Sequence, residues 1–501
     1  MKYFSYIFLV VSIFMTNCLI VKVYCPIRKD KIPDLRYHLV IMITIDSHLT
    51  PSDLSSALTR FFDLASGKII SLNAASATTD GAPVFTVNGH YTARGWTEWT
   101  QGFQYGCQIL QYDATGDEQF LRMGRENTVV HMAPHVSHIG VHDHGFNNVS
   151  TYGNLHRLAR EGRIDESADA MNFYEMALKT SGAVQAARWS KISDGTGYIH
   201  SFNGPQSLFS DTIRSCRSLM VAHQLGHRLM GENDAKISLL QRAVEHIQNT
   251  SRYNVYYGEG RDNYDTAELR GRVVHESIFN MTDGNYRCPS TQQGYSPFTT
   301  WTRGLAWVAL GAAEELEFIQ SLSDETLDAV GGREAFETLL LTMARATCDF
   351  YIAQTPTDGI PYWDTGAPGL AHMPNHLNEA AHIDNPYEPV DSSAAAITAQ
   401  GLLRLGHYLG TDTEDGKRYF QAGLSVARTL FDEPYLSTDP EHQGLLLHSI
   451  YHHPNGWDHV PEGKTIPQGE SCMWGDYHLM ELAVYLKRLI NDEPYLTFFI
   501  K

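Results

Sequence analysis

A repeated pair of helical segments limits the fold of this chain more than any other feature. In each pair a small or apolar helix is followed by a short polar turn carrying Gly or Asp, and then by a more charged amphipathic helix. One pair runs TEWTQGFQYGCQILQYDATGDEQFLRMGREN, where ATGDEQ is the turn and Asp117 opens the second helix. Inner-type helices recur in VSTYGNLHRLARE, SLFSDTIRSCRSLMVAHQ, TTWTRGLAWVALGAAEELEFI, VDSSAAAITAQGLLRLGHYLG and MWGDYHLMELAVYLKRLI, and PSDLSSALTRFFDLA supplies the outer helix that completes the set. Six pairs joined by short turns predict an all-α fold, a closed (α/α)6 barrel with parallel inner helices. An open solenoid uses the same helices but has shorter, more uniform connections.

The connections here are not uniform. Long Gly-, Pro- and aromatic-rich segments (81–96, 133–148, 190–207, 274–299, 355–389 and 448–472) each precede an inner helix, so they gather at one end of the barrel, where a pocket is expected. Two carboxylates fall there. Asp143 lies in GVHDHGF, in the loop before the second inner helix, and Asp211 begins the third in QSLFSDTIRS. Phe209, Ile213, Cys216 and Met220 form the buried stripe of that helix and leave Asp211 facing the mouth. Each carboxylate has a plain structural alternative: Asp211 as a first-turn anion on the helix dipole, Asp143 as a loop residue bonded to nearby amides. His131, His135, His138, His142 and His144 raise a metal site as an alternative, but their spacing matches no recognised ligand pattern, and no metal or cofactor is expected.

Composition narrows the partners. With 38 basic against 57 acidic residues the formal charge is -19, and no Lys/Arg-rich run is present, which argues against nucleic acid and against an anionic membrane surface. The 26 Tyr, 21 Phe and 8 Trp suit flat, hydroxyl-covered ligands such as sugars. Residues 1–25 read as a signal peptide or membrane anchor, leaving 26–501 as a single catalytic domain of a secreted or periplasmic protein. Five single cysteines beyond the leader form neither a disulfide framework nor a zinc pattern. Asn148, Asn249 and Asn280 each begin a glycosylation sequon.

At the level of motifs the chain resembles the unsaturated glucuronyl hydrolases. The likeness rests on WTQGFQYG (Trp99, Phe103), HDHGF (His142, Asp143, Phe146), FSDTIRS (Asp211), QGYSPFTTWTRGLAW with His275 upstream, and WGDYHLMELA (Tyr477), in the family's order from about Gly95 to Ile490. The resemblance implies a six-fold α/α toroid acting on lyase-generated oligosaccharides that carry a 4,5-unsaturated uronic acid at the non-reducing end. It implies Asp211 as general acid and base and Asp143 as the second essential carboxylate. It also implies a sugar site lined by Trp99, Phe103, His142, Phe146, His275, Arg303, Trp307 and Tyr477. Two departures bear on the substrate: Ser-Asp-Thr-Ile-Arg replaces the family's usual helix start, and Phe202 stands about where a pocket Trp is common.

An ordinary glycosidase sets two carboxyl groups across the scissile bond. An unsaturated uronate is a vinyl ether and asks for something else. Protonation of C4 creates an oxocarbenium at C5, water adds there, and the resulting hemiketal opens and releases the aglycone. One carboxyl group can deliver the proton and then activate the water. On this reading Asp211 should have a raised pKa, pushed up by Asp143 and by aromatic walls from Trp99, Phe103 and Phe146. Arg303 and His275 are then expected to meet the uronate or other acidic groups. The alternatives are an unsaturated rhamnogalacturonyl hydrolase acting on pectin fragments, a carbohydrate-binding toroid without turnover, and a metal-dependent enzyme using the histidine cluster. The expected partners are unsaturated uronyl oligosaccharides, with no nucleic acid and no membrane partner beyond an uncleaved anchor.

Overall fold

A helix that is small or apolar all round has to be enclosed, whereas a one-sided helix can only lie outside it. The computed structural model describes residues 43–77, 81–94 and 98–500, and it sorts the helices in this way. The leader read in residues 1–25 lies outside the described residues. The chain alternates outer and inner helices: α1 (Ser55–Ser76) outside, α2 (Gln101–Thr115) inside, α3 (Glu118–His131) outside, then an inner helix α4 over 144–160. Next come α5 (Ala168–Ala187) outside, an inner α6 over 212–224, and α7 (Leu239–Asn254) outside. The last five are α8 (Thr302–Gln320) inside, α9 (Arg333–Ala353) outside, α10 (Ser392–Leu409) inside, α11 (Glu414–Leu430) outside and α12 (Met473–Ile490) inside. On α8 every residue from Thr302 to Ile319 is buried, and on α10 every residue from Ser392 to Gly406.

The ring closes. Each inner helix packs on the next, α2 on α4, α4 on α6, α6 on α8, α8 on α10 and α10 on α12, and α12 packs back on α2. That is a barrel of six inner and six outer helices, not an open solenoid. Among the described residues no helix is long and apolar enough to cross a membrane.

A belt of buried charge ties the inner helices together. Arg214 of α6 makes a two-pronged ion pair with Glu314 of α8 (2.7 and 2.9 Å) and reaches Glu481 of α12 at 2.8 Å, while Arg404 of α10 pairs with Glu317 at 2.8 Å. Removing one partner of a buried pair typically costs about 3–5 kcal/mol.

The mouth segments carry short antiparallel pairs, including a three-stranded sheet of Ser207–Phe209, Glu276–Phe279 and Tyr286–Ser290. Phe209 therefore belongs to a strand, although it is buried as the stripe predicts. Asn148 and Asn249 are buried, at 0% and 3% exposure, and donate from Nδ2 to neighbouring groups; Asn280 sits only partly buried in the turn between the last two of those strands.

Candidate active site

Two helix starts place the two carboxylates. The second inner helix begins at His144, five residues before the expected Val149, so Asp143 occupies its N-cap position instead of lying in a loop ahead of it. Asp211 holds the same position on α6. Neither side chain caps its helix. Asp391, at the start of α10, does cap, accepting from the Ser393 amide. Neither carboxylate is held by a capping amide, yet both are buried, at 8% and 7% exposure, so another group must face them.

That group is His142. Its Nε2 lies 3.3 Å from Asp211 Oδ1 and 3.8 Å from Asp143 Oδ1, so one ring nitrogen serves both carboxylates. The backbone around it is fixed: the His142 carbonyl accepts from Ser215 Oγ at 2.7 Å and from Gln185 Nε2 at 2.8 Å, and Ser215 Oγ in turn accepts from the Gly145 amide. Gly145 is required there, because a Cβ would stand 2.3 Å from the Ser215 carbonyl oxygen. The glycine of HDHGF lets α4 approach α6 closely enough for the two carboxylates to share an imidazole.

The protonation pattern differs from the expectation. Burial and the Asp211 charge hold Asp143 above the ordinary carboxylate range against the opposing pull of His142. Asp211 is the reverse case. Burial would raise it, but the His142 hydrogen bond and charge, helped by His275 and Arg303, leave it below the ordinary value. Burial pulls His142 down, and the two carboxylates more than offset this, so its pKa is raised. The expected elevation of Asp211 is thus corrected: the raised carboxyl is Asp143, because His142 bonds more closely to Asp211.

His275 presents a single donor. Its Nδ1 accepts from the Gln292 and Gln293 amides at 3.0 and 3.3 Å, which places the proton of the neutral ring on Nε2, and burial holds its pKa down to about 4. Nε2 makes no hydrogen bond within the protein, nor do His142 Nδ1 and the Ser210 and Thr212 hydroxyls on either side of Asp211. The unpartnered Nε2 of His275, a residue whose charge acts on Asp211, is a polar atom that a ligand can complete.

The expected aromatic wall splits into two layers. Trp99 is half-buried and stacks on Trp474 at 5.0 Å. Phe103, Phe146, Trp307 and Tyr477 are buried at 0–2% and pack on one another: Phe103 on Tyr477 at 4.9 Å and Phe146 on Trp307 at 4.8 Å. Tyr477 donates to Glu481 at 3.0 Å, which places it in the barrel core. Phe202, 43% exposed, lies nearly parallel to the His142 ring at 6.0 Å.

Arg303, expected to meet an acidic ligand, meets Asp391 instead at 2.7 Å. It also donates to Gln293 Oε1 and to the Ile450 and Tyr451 carbonyls, with its guanidinium packed against Trp301 and Trp474. It braces two mouth segments and the start of α10 around the site. The histidine cluster is likewise engaged: His135 bonds Gln101 at 2.7 Å, and His144 bonds Ser181 and the His138 carbonyl. Burial holds both near pKa 4, and no set of three or more His, Cys, Asp or Glu among the described residues is arranged to hold a metal.

Sequence reasoning missed two neighbours. Arg188 donates to the carbonyls of Ile139, His200 and Ser201 and acts electrostatically on Asp143. Tyr451 sits 6.3 Å from Trp99 and feels the Asp143 charge. Both lie in irregular segments where no period or motif singles them out.

No family model matches the chain. An unsaturated glucuronyl hydrolase of Bacillus sp. (strain GL1) is 26% identical over 430 residues, covering 83% of this chain and 92% of that protein. An unsaturated chondroitin disaccharide hydrolase of Streptococcus agalactiae serotype III (strain NEM316) is 23% identical over 406 residues, covering 80% of this chain and 84% of that one. The crystal structure of an unsaturated glucuronyl hydrolase from Streptococcus agalactiae superposes with a TM-score of 0.64 at 20% identity, over 91% of this chain and 98% of that chain, a likeness of fold.

Proposed function

We propose that this chain, a relative of the unsaturated glucuronyl hydrolases, is a glycoside hydrolase that removes a 4,5-unsaturated uronic acid from the non-reducing end of oligosaccharides. The observation that carries the reading is the convergence of Asp211 and Asp143 on one nitrogen of His142. A glycosidase of the ordinary kind holds its two carboxyl groups on either side of a glycosidic bond. Two carboxylates joined through one imidazole suit proton delivery and water activation at one place on a ring.

The chemistry follows from the proton count. At mildly acidic pH, below the raised pKa of His142 and above the lowered one of Asp211, the free site holds an Asp211 carboxylate bonded to a protonated His142. A sugar ring that displaces water makes a buried charged pair less favourable than its neutral form, so the shared proton shifts from imidazolium to Asp211. Asp211 protonates C4, and the oxocarbenium forms at C5. The resulting carboxylate takes a proton from the water that adds to C5. The hemiketal opens by breaking C5–O5, and the hemiacetal left at C1 expels the aglycone. His275 Nε2–H, unpaired within the protein, supplies a neutral donor for the uronate ring. Asp143 holds His142 charged until the ring arrives.

Asp211→Asn keeps the shape of the pocket and removes the group that moves the proton. Turnover, followed as loss of the enoate ultraviolet absorbance, should fall by about a hundredfold or more, the scale of a lost general acid and base, while substrate still binds. Near-full activity in Asp211→Asn with loss in Asp143→Asn would transfer the acid role to Asp143, whose raised pKa makes it the competing donor. The apolar leader supports action outside the cytoplasm; cell fractionation that recovers the activity only in the cytosol would contradict that.

A further inference from the structure

The segment 255–301 at the mouth carries an aromatic surface that the reaction centre does not use. Tyr264 and Phe298 stack with ring centroids 4.0 Å apart and planes 24° apart, yet they remain 47% and 42% exposed. Tyr295, 50% exposed, lies three residues before Phe298. A pair of large exposed rings in contact, with a third three residues away in the chain, is uncommon on a protein surface and marks a binding surface.

The patch is anchored and runs continuously into the site. Gln292 and Gln293, whose amides donate to His275, precede Tyr295 with only Gly294 between. The Tyr295 amide donates to Asp364 Oδ2 at 2.9 Å, and the Pro297 carbonyl accepts from buried Arg272 at 3.2 Å. The guanidinium groups of Arg272 and Arg261 each lie 3.8 Å from the Tyr256 ring, and the Asp265 carboxylate accepts from the amides of Gly258, Glu259 and Arg261. That closes the loop presenting Tyr264. At about 3.3 Å per residue the chain from Gln293 to Phe298 spans no more than about 17 Å, so the rings stand within reach of an oligosaccharide held at the reaction centre.

We propose that Tyr264, Phe298 and Tyr295 form a distal sugar platform that binds residues of a longer oligosaccharide beyond the scissile linkage. The proposal rests on the hydrolase reading above. Its chemistry is face-on stacking: flat rings, two with phenolic hydroxyls, offered to the C–H faces and hydroxyls of pyranose rings. The occupant is therefore the aglycone side of the substrate itself.

The test is a length series of unsaturated di-, tetra- and hexasaccharides from one polymer, assayed with the full chain and with Tyr264→Ala and Phe298→Ala. The wild type should gain kcat/KM with length. The variants should lose about two- to tenfold on the longest substrate, the scale of one stacking contact, and keep wild-type kcat/KM on the disaccharide. An equal loss at every length, or none at any, overturns the platform. So does loss of self-association in light scattering with length dependence intact, which would assign the rings to contact between copies. Titration of Asp211→Asn protein with the same saccharides reads the platform without turnover. Failure of the wild type to consume even the disaccharide would instead sink the hydrolase reading, and the titration would still decide the platform.

Discussion

His142 stands within 4 Å of both carboxylates, at 3.3 Å from Asp211 and 3.8 Å from Asp143, so the three groups titrate as a unit. Asp211 is lowered and stays ionised once the pH exceeds its depressed pKa. His142 is raised, so its proton persists above the ordinary imidazole value of about 6.5 and is lost as the pH climbs through the raised pKa. The competent form, Asp211 ionised and His142 protonated, lies between those two limits. We expect kcat/KM to be high at mildly acidic pH and to fall on the alkaline side of about 6.5, with that limb displaced or abolished in His142→Gln. A kcat/KM that climbs steadily from about pH 6 to 9 would contradict this assignment of the proton. The residue scale is also where sequence reading stopped short. Asp143 and Asp211 were legible as a pair because both fall at the mouth, but the direction of their shifts depends on which carboxylate lies nearer the His142 ring, a matter of tenths of an ångström that no spacing encodes.

Along α8 the inward residues recur at helical spacing, and each meets a different partner: Arg303 with Asp391, Trp307 with Phe146, Gly311 beside Ile213, Glu314 with Arg214. The helix thus runs from site brace to aromatic floor to buried ion pair. Trp307 belongs to the floor, 2% exposed and packed between Phe146 at 4.8 Å and His478 at 4.9 Å. Trp307→Ala should therefore lower stability by about 3–5 kcal/mol, the cost of deleting a buried aromatic side chain, visible as a reduced Tm by calorimetry. An unchanged Tm with a raised KM would return Trp307 to a sugar-stacking role. The helices themselves were readable because small and apolar inner segments differ so plainly from amphipathic outer ones. The start of α4 was not. Asp143 is a residue type that begins helices, but the Gly145, Asn147 and Asn148 that follow it are poor helix formers, and Gly145 is present for close packing against Ser215.

At the scale of the whole molecule, closure of the inner ring brings Asp143 of α4, Asp211 of α6 and His275 of the following mouth segment to one end, although they are separated by up to 132 positions in the chain. Ring closure was legible from six helix pairs with long connections on one side only. What the connections would build was not, because irregular backbone has no period to read; Arg188, Tyr451 and the Tyr264–Phe298 stack all lie there. A net charge of -19 gives no general attraction for an acidic ligand, so recognition of one has to be local. The proposed order is hydration of the vinyl ether first and loss of the glycosidic linkage second. It is tested most directly by running turnover in deuterium oxide and following the first products by proton NMR. The vinyl H4 signal should disappear as the aglycone is released, with one deuterium delivered to a single face of C4. Release of a sugar that still carries the C4–C5 double bond would contradict it.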